Sequence, residues 1–268
     1  MLEKERLSQV FLKDSNLARK LVFGSSITKN DIVIEIGPGR GILTDQLADK
    51  AARVIAIEKD PVLARALQEK YVNKPNVQII QGDILNYRLP DFPYKVFSNI
   101  PFAIEGELVR IFLNTRSPLQ DGFLFMRREY AMRFAGTPRE SQFHITYSPW
   151  FDLGIYYSLR RDDFQPKPLV ETDILRFRAK EIPLISRDLK HLYEMFIRQG
   201  YGNGPMVKQS LTPLPLSQEQ LIRLSRELGF KITDKPSDLN LEHWVGMFLF
   251  FLTTSEFQQQ KFISKARK

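Results

Sequence analysis

A chain of 268 residues, 43% of them hydrophobic, is long enough for one α/β domain and a smaller appendage. It has no cysteine, and its three histidines, His144, His191 and His243, lie far apart; disulfides, a thiolate nucleophile and a metal centre are therefore not expected. A formal net charge of +8, spread over residues 1–180 and 181–268 alike, suits a polyanionic partner.

Residues 1 to about 30 read as an N-terminal arm and a helix. Met1 is followed by a charged, polar stretch rather than a signal peptide, so the expected location is cytoplasmic. Asp31–Ile36 is a short apolar run of the buried parallel-strand kind. It leads into Gly37-Pro38-Gly39-Arg40-Gly41, and Ile42 to Leu47 continue toward a helix. Strand, glycine turn and helix together make the architecture of a nucleotide-type cofactor site, because glycine lets the backbone approach a ligand. A dinucleotide fingerprint needs G-x-G-x-x-G, whereas these glycines stand at 37, 39 and 41 and Pro38 stiffens the turn. That spacing disfavours a pyrophosphate cradle and a nicotinamide dehydrogenase. It favours a phosphate-free cofactor, S-adenosylmethionine, with an adenosine and a charged amino-acid tail.

Arg53–Ile57 is the next strand and ends at Glu58, 21 positions beyond Gly37, where an acidic residue can hydrogen-bond ribose hydroxyls. Val77–Gln81 is a third strand, ending at Gly82-Asp83-Ile84-Leu85. Asp83 is placed to accept from the adenine amino group of the cofactor, and Ile84 to pack on its ring. Tyr94–Ser98 reads as a fourth strand and runs into Asn99-Ile100-Pro101-Phe102. An amide oxygen and a neighbouring carbonyl can both accept from one exocyclic amine. Pro101 restricts the backbone, and Phe102 offers a flat face to a base. Four strand ends thus converge on one edge, where ligands of open α/β sheets bind.

Phe123–Met126 and Ile174–Phe177 are later strands, and after Ala179 the pattern turns helical. Helices are expected near 186–199, 217–228 and 241–253, with Thr212–Pro215 as a connector and Gly229 as a C-cap. Trp244–Leu252 is too short to span a bilayer and reads as a buried helix; no membrane association is expected. The implied domains are 1–179 for the cofactor and catalysis and 180–268 for a helical RNA-binding part with a basic tail at Lys261–Lys268.

Taken together, these motifs resemble the ribosomal RNA adenine N6-methyltransferases. The resemblance begins at Leu7-Ser8-Gln9-Val10-Phe11-Leu12, similar to the family's S-Q-N-F-L segment. It runs through Glu35–Gly41, Glu58, Gly82-Asp83 and Asn99–Phe102 to Asp163-Phe164-Gln165-Pro166-Lys167-Pro168, similar to the family's F-x-P-x-P element. It implies a Rossmann-like S-adenosylmethionine-dependent methyltransferase sheet of the α/β class with a small C-terminal α-helical domain. Cofactor contacts would come from Gln9, Val10, Leu12, Gly37, Gly39, Glu58, Asp83, Ile84 and Asn99. Asn99 and the Ile100 carbonyl would accept from the target amino group, Pro101 would shape the loop, Phe102 would stack on the target adenine, and Phe164 would cover its other face, guide its entry, or serve as a plain core residue. Arg127, Arg128 and Arg133, with Lys4, Arg6, Arg160 and Arg161, would meet phosphates. The implied partner of this monomer is ribosomal RNA. The chain departs from the family at Val10, where Asn is usual, and at Ala103–Glu107, where many relatives carry Ser-Thr.

Two branches fit. N-I-P-F, the segment Ser148-Pro149-Trp150-Phe151 and the short C-terminal region favour the Erm-type 23S rRNA dimethylases, which confer resistance to macrolides, lincosamides and streptogramin B. The small-subunit (16S) dimethylases of ribosome biogenesis, which favour N-L-P-Y, are the alternative. So is a non-catalytic nucleic-acid-binding factor of the same fold. A DNA adenine methyltransferase fits less well, since its tetrapeptide usually carries two prolines or an Asp.

Overall fold

A computed structural model of the chain describes residues 10–114, 118–201, 206–210, 214 and 216–254. Strand β1 (Phe11–Leu12) precedes helix α1 (Ser15–Gly24), which Asp14 caps by accepting from the Asn16 N–H at 2.8 Å. The carboxyl end of α1 is closed by Lys50, whose ammonium donates to the carbonyls of Val22, Phe23 and Ser25 at 2.9 Å each. Next come β2 (Ile32–Ile36), α2 (Ile42–Lys50), β3 (Arg53–Glu58), α3 (Pro61–Lys70) and β4 (Val77–Gln81). Asp60 and Pro61 start α3 in the favoured way, with an Asx cap and proline at the first helical position. Then follow β5 (Tyr94–Asn99), α4 (Glu105–Asn114), β6 (Leu119–Arg127), α5 (Arg128–Ala135), α6 (Gln142–Tyr147), β7 (Phe151–Leu159), β8 (Phe164–Gln165) and β9 (Thr172–Ala179).

Seven strands form one sheet in the order β4-β3-β2-β5-β6-β9-β7. From β4 to β6 every pairing is parallel, and β9 adds antiparallel to β6. Parallel strands covered on both faces need continuous apolar runs. Accordingly Val33, Ile34, Val54, Ile57, Val96, Phe97, Phe123, Leu124 and Phe125 are at most 4% exposed. The order reverses between β2 and β5, which makes that pair the topological switch point. The arm strand β1 pairs antiparallel with β8, Phe11 opposite Gln165 and Leu12 opposite Phe164.

The chain divides into two compact units. One runs to Met132 and takes Gly154–Ala179; the other takes Arg133–Leu153 and everything from Lys180 on. Residues 133–153, read from the sequence as part of the sheet domain, therefore pack with the helices. The reason is aromatic packing: Trp150 meets Tyr193 edge-on at 5.5 Å, and the Tyr193 hydroxyl donates to the Ile145 carbonyl at 3.1 Å. In this unit α7 (Lys190–Tyr201), α8 (Val207–Ser210), α9 (Gln218–Leu228) and α10 (Leu241–Leu252) follow. Tyr193, Phe196, Phe248 and Phe251 form a buried ring cluster. Ser217 and Gln220 make a capping box for α9, and Gly229, at φ 80°, ends it. Among the described residues no helix is long and apolar enough to cross a membrane.

Candidate active site

The switch point opens a crevice. Backbone pairing between β2 and β5 reaches Ile34 opposite Val96. Beyond it the Ser98 hydroxyl bridges the strands, donating to the Ile36 carbonyl at 2.5 Å and accepting from the Ile36 N–H at 3.1 Å. Just past that bridge the glycine turn and Asn99 face a cavity of about 530 Å³. Phe11, Leu12 and Lys13 from the arm, Glu35, Gly37, Pro38 and Arg40 from β2 and its turn, and Gln165 of β8 with Pro166 just after it contribute to its walls.

Gly37 and Gly39 take φ of +60° and +58°, a region in which side chains are strained. Their surroundings differ. A Cβ on Gly39 would sit 2.4 Å from the Phe11 ring, so this glycine lets the arm lie against the turn. A Cβ on Gly37 would meet no atom within 4 Å, so this glycine keeps cavity space open.

Asn99 is half-buried and its two amide atoms have different fates. Nδ2 donates to the Val10 carbonyl at 2.6 Å, whereas Oδ1 is buried without a partner. Buried acceptors are nearly always satisfied, so an orphan at a cavity wall marks a place for a donor. Val10 serves through its main chain, and its side chain packs against the core. Gln9 lies outside the described residues. Leu12 is 3% exposed and links core to cavity wall. Ile100 is buried; Pro101, in extended backbone, accepts through its carbonyl from the Ile104 N–H at 3.1 Å and so starts a short 3-10 turn whose first residue, Phe102, is half-exposed.

The acidic strand ends are tied into the frame. Glu58 is 1% exposed; its Oε2 accepts from the Gly39 N–H at 3.1 Å and its Oε1 from the Asp60 N–H at 2.9 Å. Asp83 accepts from the Leu85 N–H at 3.0 Å and faces Lys59 at 3.3 Å, with Ile84 buried beside it. Glu35, which the motif contained but the sequence reading gave no role, is 1% exposed and lines the cavity. Burial pushes its carboxyl up to about 8; Asp45 and Glu58 reinforce this, and the Thr44 hydroxyl, donating at 2.7 Å, opposes it.

Several expected contacts are placed otherwise. Phe164 is 2% exposed in the hydrophobic core, since its register opposite Leu12 turns the ring inward; the cavity receives Gln165 and Pro166 instead. Arg127 and Arg128 are committed to internal ion pairs. Glu105, 1% exposed, accepts from both the N–H and the guanidinium of Arg127, and Arg128 pairs with Asp173 and Glu171. This accounts for an acidic residue so soon after the tetrapeptide: Glu105 is an internal partner. Arg133 belongs to the helical unit, its guanidinium 4.9 Å from the Phe143 ring centre. Lys4, Arg6 and the basic tail lie outside the described residues. Sequence reasoning missed Ser98, Glu35, Lys13 and Arg40. A polar residue inside an apolar strand was the signal for the first two.

A family profile described as ribosomal RNA adenine dimethylase matches residues 2–201. An rRNA adenine N-6-methyltransferase of Bacillus licheniformis is 33% identical over 178 residues, 66% of this chain and 62% of its own length. The chain thus spans less than two thirds of that relative. A probable ribosomal RNA small subunit methyltransferase A of Methanosarcina barkeri is 33% identical over 233 residues, 83% of this chain and 80% of that protein. The crystal structure of the 23S rRNA methyltransferase ErmE superposes with a TM-score of 0.82 at 25% identity, covering 91% of this chain and 100% of that one. Since the profile spans the glycine turn, Glu35, the two acidic strand ends and the Asn99 loop together, the chain belongs to the ribosomal RNA adenine dimethylase family.

Proposed function

We propose that this protein transfers methyl groups from S-adenosylmethionine to N6 of an adenine in ribosomal RNA, and that the RNA is 23S, as in macrolide-lincosamide-streptogramin B resistance. The observation that carries the reading is Asn99 Oδ1: a buried acceptor without a partner, on a cavity-lining residue whose amide nitrogen is tied to the Val10 carbonyl. An adenine amino group is a donor of the size and chemistry that such an acceptor lacks.

The residues fit the cofactor. Gly37 leaves the space that a Cβ would fill, Glu35 offers a carboxyl to a cationic amino-acid tail, and Glu58 holds the turn in shape through the Gly39 N–H. S-adenosylmethionine, when bound, supplies an electrophilic methyl group. The chain's part is position and electrostatics. Asn99 and the Ile100 carbonyl accept from the two N6 hydrogens, which favours a more tetrahedral and more nucleophilic nitrogen. Held there, N6 would present its lone pair to the methyl group that the bound cofactor would supply, and would release its proton to water. The half-exposed Phe102 ring gives the base a surface on which to stack. At the rim, Lys13 and Arg40 are exposed cations, Lys13 within electrostatic reach of the Asp162 carboxylate, and they take the phosphate contacts first assigned to Arg127 and Arg128. The helical unit contributes RNA contacts of its own.

The tetrapeptide N-I-P-F and the full coverage of ErmE support the 23S substrate. The small-subunit reading has its own support, the longer coverage of the Methanosarcina relative. Transfer of labelled methyl to purified 23S and 16S rRNA, followed by mapping of the modified base, tests both. Label on a 23S adenine is expected; label on 16S alone moves the protein to the other branch. Label on neither, with cofactor bound, overturns the enzymatic reading for mature rRNA.

A further inference from the structure

The loop from Pro166 to Glu171 is pinned at both ends. On one side Gln165 is held opposite Phe11, Gln165 and Pro166 face the cavity, and Arg161 Nε donates to the Pro168 carbonyl at 2.7 Å. On the other side the Arg128 N–H donates to the Glu171 carbonyl at 2.9 Å, and its guanidinium pairs with the Glu171 carboxylate. Pro166 and Pro168 restrict the backbone between. Yet the residues so carefully held are apolar and in water: Leu169 is 91% exposed and Val170 40%. Leu169 follows the cavity-lining Pro166 by three residues, so the chain carries it no more than about 10 Å from the cavity rim. An exposed leucine on a loop pinned at both ends, next to the cavity, is placed to meet a partner outside the protein.

An adenine that reaches Asn99 must leave its stack, and it leaves a gap one base deep. Proteins that open stacked nucleic acid insert apolar side chains, leucine among them, into such gaps. We propose that Leu169, backed by Val170, is the wedge that fills the RNA stack vacated by the target adenine. The proposal rests on the adenine methyltransferase reading and adds a positioning residue to it.

The test uses the full chain and two RNAs cut from the mapped segment. In one the target adenine is paired in a stem; in the other it lies in a single strand with an abasic site on either side, so no stack need be opened. On the paired stem Leu169→Ala should lose about tenfold or more in kcat/KM, and on the abasic RNA little. Leu169→Met should recover most of the loss. With 2-aminopurine at the target position of the stem, wild type should raise fluorescence on binding and Leu169→Ala should not. Cofactor affinity and the unfolding midpoint should stay unchanged. Equal activity of wild type and Leu169→Ala on the paired stem, or equal losses on both RNAs, overturns the wedge and leaves the methyltransferase reading intact. A wild type that methylates neither RNA overturns both.

Discussion

Asn99 and Glu35 set the chemistry of the crevice through their immediate neighbours. Asn99 engages Val10 through a main-chain carbonyl, so the arm can orient the amide without the asparagine usual at that position in the family. Asn99→Ala should lower methyl transfer by at least about a hundredfold, the scale for removing one preorganised polar group, while calorimetric cofactor affinity stays near wild type. Retained turnover would remove the role given to Oδ1. Glu35 makes a prediction about stability. Its carboxyl ionises near 4.5 when exposed and at about 8 in the fold, because burial disfavours the charged form. The folded state therefore binds more protons than the unfolded state between those values. The stabilisation is complete below about 4.5 and is lost as pH rises through about 8. Glu35→Gln keeps an acceptor for the Thr44 hydroxyl and cannot ionise. Urea unfolding of the cofactor-free protein should show wild type weakening from about pH 5 to about pH 9 by more than the variant, the difference reaching a few kcal/mol. Parallel decline of the two proteins would mean that Glu35 is already charged at low pH.

Among the elements, the glycine turn offers the clearest separation of fold from function. Gly37→Ala and Gly39→Ala place a side chain at nearly the same positive φ, so each should cost about 1–2 kcal/mol of backbone strain. Gly39→Ala also drives a methyl into the Phe11 ring and should displace the arm, lowering the unfolding midpoint further. Gly37→Ala meets nothing in the protein, so its extra effect should fall on cofactor affinity, read by calorimetry. A larger stability loss at Gly37 than at Gly39 would reverse these assignments. The central parallel strands β2, β3 and β5 and the turn were legible in sequence because a buried parallel strand is largely apolar and a positive φ selects glycine. The helices α9 and α10 were legible from the Gly229 C-cap and the apolar Trp244–Leu252 run; their N-caps, Ser217 and Asn240, emerge in the structure. Strand β7 was not: Gly154 lies within it and its exposure does not alternate cleanly. The β1–β8 ladder was invisible too, since two residues a side carry no period and the pairing spans the whole sheet unit.

For the whole molecule, what the sequence hid was pairing at a distance. Residues 133–153 join the helices through Trp150 and Tyr193, a contact that a single cut along the chain misses. The net charge of +8 was legible; which cations remain available to a polyanion was not, because Glu105, Asp173 and Glu171 reach Arg127 and Arg128 only in the fold. Burial pushes the Glu105 carboxyl up despite Arg127 beside it, while Arg127 itself is held more firmly protonated. Glu105 thus depends on its partner, and removing one side of a buried pair costs about 3 kcal/mol or more. Arg127→Gln should therefore lower the unfolding midpoint and weaken RNA binding only as far as the fold loosens. Lys13→Gln and Arg40→Gln should do the opposite. Each should leave the midpoint near wild type and reduce the slope of log K against log salt by about one, the signature of a lost phosphate contact. Measuring RNA affinity at several salt concentrations for the three variants separates the roles. An unchanged slope for Lys13→Gln and Arg40→Gln, with a reduced slope for Arg127→Gln, would return the phosphate contact to the residue that the raw sequence suggested.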